Sequence, residues 1–131
     1  MDLIARGPRL PVTVTADEPS IGIDGSPPPR RTVDALIDTG SGRTIIQAAL
    51  AAELHLRPVG RVEIDTASSV DVTAEEYAIA LEVGGHRPIR VRALAAALPV
   101  PDVRLLIGRD ALAHGRFVYD GRRSEFAFEL D

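Results

Sequence analysis

The sequence predicts an all-β fold: a closed barrel carrying one or two short helices. Three observations lead there. Apolar residues recur at every second position in most segments, turn-forming pairs separate those segments at short intervals, and only one stretch has a helical composition. The length of 131 residues allows one real core but not two full lobes, so residues 1–131 are read as a single domain.

The elements follow in chain order. Between Arg9 and Thr15, Leu10, Val12 and Val14 alternate with Pro11, Thr13 and Thr15, the period of a half-buried strand. Pro11 lacks a donor and favours an edge position. Pro27, Pro28 and Pro29 interrupt any ladder and predict a surface loop. Val33 to Ile37 is a strand that runs directly into Asp38, Thr39, Gly40, Ser41 and Gly42, whose small residues require a tight turn. Gln47 to Leu56, rich in alanine and leucine, is the best helix and stops before Pro58 and Gly60. Val62, Ile64 and Thr66, then Val70 and Val72, form a hairpin around Ala67, Ser68 and Ser69. Tyr77 to Val83 and Ile89 to Leu94 form a second strand pair around Gly84 and Gly85. Leu105 to Ile107 is a short buried strand, Gly108 to Asp110 opens a brief helix, and Gly115 ends it. Phe117 to Tyr119 and Glu125 to Leu130 close the chain as a hairpin with its turn signal at Asp120 and Gly121.

Composition removes several function classes. No cysteine is present, which excludes disulfides, zinc-thiolate sites and cysteine nucleophiles. All 15 basic residues are arginine, so a P-loop lysine, a Schiff base and a Ser-Lys dyad are excluded as well. A net charge of -4 argues against a nucleic-acid binder. No apolar run approaches the roughly 20 residues of a membrane span, and no signal segment opens the sequence, so a cytoplasmic protein without a membrane partner is expected. His55, His86 and His114 are scattered without ligand spacing; neither a metal nor another cofactor is implied. The pairs Arg30–Arg31 and Arg122–Arg123 read as solvated turn residues.

The chemistry concentrates in Ala35-Leu36-Ile37-Asp38-Thr39-Gly40-Ser41-Gly42, where an apolar strand delivers one carboxylate into a turn of small residues. This segment resembles the active-site signature of aspartic proteases. About 70 positions further on, Leu105-Leu106-Ile107-Gly108-Arg109-Asp110 resembles the second motif of retropepsin-like proteases. With the intervening hairpin and the closing strands, the resemblance covers roughly residues 9 to 130 and points to the bacterial single-domain branch of that family.

Hydrolysis of a peptide bond by water needs a base to activate the water and an acid to protonate the carbonyl or the leaving group. Two carboxylates about 3 Å apart supply both, because their repulsion keeps one shared proton between them, as aspartic proteases do generally. This chain has one Asp-Thr-Gly. A symmetric homodimer, each subunit contributing one lobe and one Asp38, is the economical solution and the one the resemblance implies. Asp38 is then the catalytic residue of an endopeptidase acting on an extended polypeptide. The resemblance assigns Thr39 to a hydroxyl contact across the axis and Gly40 to close backbone approach. Ser41 is expected to tune the carboxylate through a hydrogen bond. Ile107 and Gly108 form the structural motif, and Asp110 is read as a structural cap outside the catalytic set. Thr66, Ala67, Ser68, Ser69, Val70 and Asp71 occupy the place of the flap, although the family's glycine near the tip is missing. Two alternatives stand beside these readings: a plain hairpin with no lid role, and a catalytically weak module that dimerises and binds extended peptides.

Overall fold

The structure is a computed structural model that describes residues 2–17, 25, 27–64, 72–98 and 100–130. In chain order its elements are α1 (Leu3–Arg6), β1 (Arg9–Ala16), β2 (Arg31–Ile37), β3 (Ile45–Ile46), α2 (Ala48–Glu53) and β4 (Gly60–Ile64). There follow β5 (Val72–Glu82), β6 (Ile89–Ala95), β7 (Leu105–Ile107), α3 (Arg109–Leu112), β8 (Gly115–Asp120) and β9 (Glu125–Leu130).

Period-two alternation turns Val12 and Val14 of β1, and Ala35 and Ile37 of β2, into the interior. From β1 the sheet runs through β2, β7, β3, β6 and β5, and β5 pairs back onto β1, so six strands close into a barrel. Its core holds fully buried Ile46, Leu50, Ile79, Leu81 and Leu105. Each such aliphatic side chain contributes about 1.5–3 kcal/mol by leaving water. The all-β barrel read from the sequence is therefore the fold observed.

Four local readings need correction. β1 is not an edge strand: it pairs with β2 from Arg9 to Val14 and with β5 from Thr13 to Ala16. Pro11 is tolerated because it lies in the half that β5 does not reach. α2 is shorter than Gln47 to Leu56 because the chain turns left-handed at His55 (φ 52°). There the Leu56 amide donates to Ala51 O and the His55 amide to Ala52 O, a Schellman ending. The two middle hairpins share one continuous strand, since β5 spans all of Val72 to Glu82. Its first half pairs with β4 (Gly60↔Glu76 to Ile64↔Val72) and its second half with β6 and β1. Finally, Asp120 is the last paired residue of the closing hairpin rather than part of its turn, which occupies residues 121–124.

β8 and β9 form a separate two-stranded sheet. Their half-buried Phe117, Phe126, Phe128 and Leu130 pack against the barrel core.

Candidate active site

Asp38 owes its position to the short buried strand β7. Parallel pairing of β2 with β7 (Leu36↔Leu106, Ile37↔Ile107) carries the ladder to the Asp38 amide, which donates to Ile107 O at 2.9 Å. The chain then loops over the end of β7 and returns on its other flank as β3, antiparallel to β7 (Ile45↔Leu106). β7 thus threads between the two strands that bound the Asp38–Thr44 loop. Within the loop the Gly40 amide donates to Asp38 Oδ1 (2.9 Å) and the Ser41 amide to Asp38 O (3.2 Å). Asp38 is half-buried, whereas Thr39 and Gly40 are exposed at the crest.

The segment after β7 holds the loop from below. A side chain at Gly108 would place its Cβ 2.4 Å from Arg43 O, so only glycine lets the two backbones approach this closely. The Arg109 amide donates to Ser41 O (2.8 Å), and Arg109 Nη1 donates to Thr39 O (2.7 Å). Asp110 uses both carboxylate oxygens: Oδ2 accepts from the Thr44 amide (3.0 Å), and Oδ1 accepts from Thr44 Oγ1 and the Ala111 amide (each 2.8 Å). Thr44 is fully buried. Its tie to Asp110 explains how a hydroxyl survives there, since a buried polar group is costly unless bonded. The geometry agrees with the structural reading of Asp110 and leaves its carboxylate no free role at the loop crest.

Asp38, Thr39, Gly40, Ser41, Ile107 and Gly108 therefore come together at one end of the barrel. One expectation differs in detail: the Ser41 hydroxyl donates to Arg43 O at 2.6 Å, which commits its proton within the loop rather than to the Asp38 carboxylate. The candidate flap, Thr66 to Asp71, lies outside the described residues; the stem that bears it is β4 with the first half of β5. A cleft of about 620 Å³ opens elsewhere, between Asp17, just after β1, and Val59, just before β4, and Asp38 does not line it. Among the described residues no cluster of histidine and carboxylate side chains suits a metal ion.

The sequence reading did not single out Arg43 and Glu76. Arg43 Nη2 lies 2.5 Å from Glu76 Oε2 on β5, and it also donates to Arg92 O (2.7 Å). That arginine contact holds the Glu76 carboxyl below the usual carboxylate range. A signal was present, because Glu76 sits where the alternation in β5 slips: Ala74 and Glu76 are buried, then Tyr77, Ile79 and Leu81.

One Asp-Thr-Gly turn seated over a threaded strand on a six-strand barrel defines a retropepsin-like acid-protease lobe. The aspartyl protease family matches residues 19–111, and the chain belongs to that family. Solved structures agree on the fold. The chain is similar to the retroviral protease-like domain of Ddi1 from Leishmania major, with 16% identity, 92% of this chain and 88% of that one covered, and a TM-score of 0.52. It is also similar to a retropepsin-like aspartic protease from Rickettsia conorii, with 12% identity, coverage of 88% and 79%, and a TM-score of 0.52. A third similarity is to the foamy viral protease-reverse transcriptase, with 19% identity and a TM-score of 0.51; there 81% of this chain corresponds to only 15% of that one. No curated protein matches the sequence. No helix among the described residues is long and apolar enough to cross a membrane.

Proposed function

We propose that the chain is an aspartic endopeptidase whose active site forms when two copies meet about a twofold axis, each presenting Asp38. The observation that carries this reading is the exposed crest at Thr39 and Gly40, with the Asp38 carboxylate fixed beside it by the Gly40 amide. Among the described residues the other carboxylates that reach the loop are engaged, Asp110 by Thr44 and Ala111 and Glu76 by Arg43 and Arg92, which supports a second acid supplied by a partner. In such a pair, one carboxylate ionised and one protonated, the first takes a proton from water while the second protonates the substrate carbonyl oxygen. Thr39 ties the two crests through its hydroxyl, and Gly40 keeps them close. The β4–β5 hairpin provides the cover, and an extended polypeptide lies beneath it as an added strand.

The test is cleavage of an unfolded polypeptide in mildly acidic solution, followed by mass spectrometry, with sedimentation of the same samples. Asp38→Asn is expected to retain fold and dimer and to lose cleavage. A variant that cuts as fast as the parent would remove Asp38 from the mechanism, and a strict monomer at high concentration would remove the pair. Peptide affinity without products would instead establish a peptide-binding module.

A further inference from the structure

Among the described residues Glu76 is the buried carboxylate of this end of the barrel, and three other segments converge on it. Its side chain is only 11% exposed. Arg43, from the Asp38–Thr44 loop, meets its Oε2 at 2.5 Å, and Arg92 Nη1 of β6 lies 3.4 Å from its Oε1. Opposite it, Gly60 opens β4; a Cβ there would lie 3.0 Å from Glu76 Oε1, so a side chain at residue 60 would press on the carboxylate. Glu76 also marks the place where β5 exchanges β4 for β1 along one edge, with the Val59 amide donating to Glu76 O (2.7 Å) and the Asp17 amide to Ala78 O (3.1 Å).

A buried charge in a strand persists only when it is paired, and here both partners are arginines. From Glu76 a continuous route leads to the candidate catalytic carboxylate. Glu76 holds the Arg43 guanidinium, Arg43 O accepts from Ser41 Oγ (2.6 Å), and the Ser41 amide donates to Asp38 O (3.2 Å). The same side chain thus belongs to the root of the hairpin and reaches the loop that carries Asp38.

We infer that Glu76, acting through Arg43, is a positioning residue that fixes the β4–β5 hairpin relative to the Asp38 loop and so sets how firmly an extended substrate is held between them. The inference rests on the peptidase reading. Its physical content is a side-chain brace between two segments that share no direct strand pairing among the described residues and are otherwise joined only through β6, where Leu94 pairs with Glu76 and its amide donates to Thr44 O (3.0 Å).

The experiment compares the parent chain with Glu76→Gln, Arg43→Gln and the double variant. On a long unfolded substrate, Glu76→Gln is expected to raise KM about tenfold, the scale of one lost charge-assisted hydrogen bond, and to leave kcat within about twofold. The double variant is expected to fall short of the product of the two single effects, because both remove the Glu76–Arg43 contact. A merely structural role would lower the active fraction, and with it the apparent kcat, at unchanged KM. Unchanged KM, or single effects that multiply in the double variant, overturns the inference. Hydrogen exchange supplies a readout independent of cleavage: in Glu76→Gln, residues 60–64, 72–76 and 41–46 should exchange faster together while β1 and β2 stay protected. Uniform acceleration, or acceleration of the hairpin without the loop, also overturns it. If the parent cleaves nothing, the peptidase reading fails, and the exchange pattern alone decides whether the brace exists.

Discussion

The Asp38–Thr44 loop and the root of the β4–β5 hairpin lie side by side, yet they are held by different physics. The loop is anchored mainly by backbone: the Asp38 amide on Ile107 O, the Arg109 amide on Ser41 O, and the Gly108 backbone packed against Arg43. Asp110 adds the tie to Thr44. The hairpin root has its ladder with β4, the first pair of the β5–β6 ladder at Glu76↔Leu94 and, beyond them, the ionic contacts of Glu76 with Arg43 and Arg92. Backbone anchors fix a geometry within narrow limits, whereas a side-chain ion pair holds two bodies together and lets them adjust. The proposed site, which would keep a carboxylate still and admit a polypeptide, calls for one of each. The loop should therefore fail through sterics and lost hydrogen bonds, and the root through lost charge.

The largest effect should come from Gly108→Ala. The added methyl would sit 2.4 Å from Arg43 O, and the neighbouring atoms are backbone that no rotamer change can move aside. Overpacking of this kind costs about 3 kcal/mol. For a domain of this size the thermal midpoint should fall by roughly 10 °C. A midpoint within a degree or two of the parent's would show that the loop can shift at no cost, and the contrast with the hairpin root would disappear.

A graded effect is expected at Asp110. Asp110→Ala leaves the Thr44 amide and hydroxyl buried without their acceptor, at a cost of about 2 kcal/mol. Asp110→Asn keeps one acceptor oxygen and should cost about 1 kcal/mol. Denaturant unfolding of the two variants measures the difference. Equal losses would mean that packing, not hydrogen bonding, holds Thr44.

These two regions also differ in how far the sequence reveals them. The loop was legible because its requirements are local: apolar Ala35 to Ile37 deliver Asp38, and the small residues after it can form only a tight turn. Ile107 and Gly108 were legible through the second motif. The barrel followed from alternation. The hairpin root was not legible, because nothing in sequence marks residues 43 and 76 as neighbours; the contact exists only after β5 has changed partners. The same event concealed that the two middle hairpins share one strand, since the phase slip at Glu76 and Tyr77 reads as the end of one strand and the start of another. α2 was overextended because alanine and leucine continue past the left-handed turn at His55, which composition does not signal.

The smallest effect is expected from acid, and it should separate the two regions. Among the described residues three carboxyls are held below their ordinary values, each chiefly by a hydrogen bond from an arginine: Glu76 by Arg43, Glu53 by Arg104 and Asp102 by Arg9. Because their folded-state values lie below the reference values of 4.5, 4.5 and 3.8, the unfolded chain binds protons first as pH falls. Their stabilisation is complete above those reference values and is lost as pH drops through the lowered folded values. The Glu53 and Asp102 carboxylates are themselves exposed and salt screens them, whereas the Glu76 carboxylate is sheltered and should keep its contribution in salt. Urea midpoints measured in salt from neutral pH down through this range are expected to fall for the parent. The Glu76→Gln midpoint should start lower at neutral pH and converge on the parent's as the acid side is reached. Gly108→Ala should shift the whole curve downward in parallel, since no charge is involved. If the Glu76→Gln curve instead runs parallel to the parent's throughout, the ion pair does not hold the hairpin root, and that root is secured by its backbone ladder just as the loop is by its own anchors.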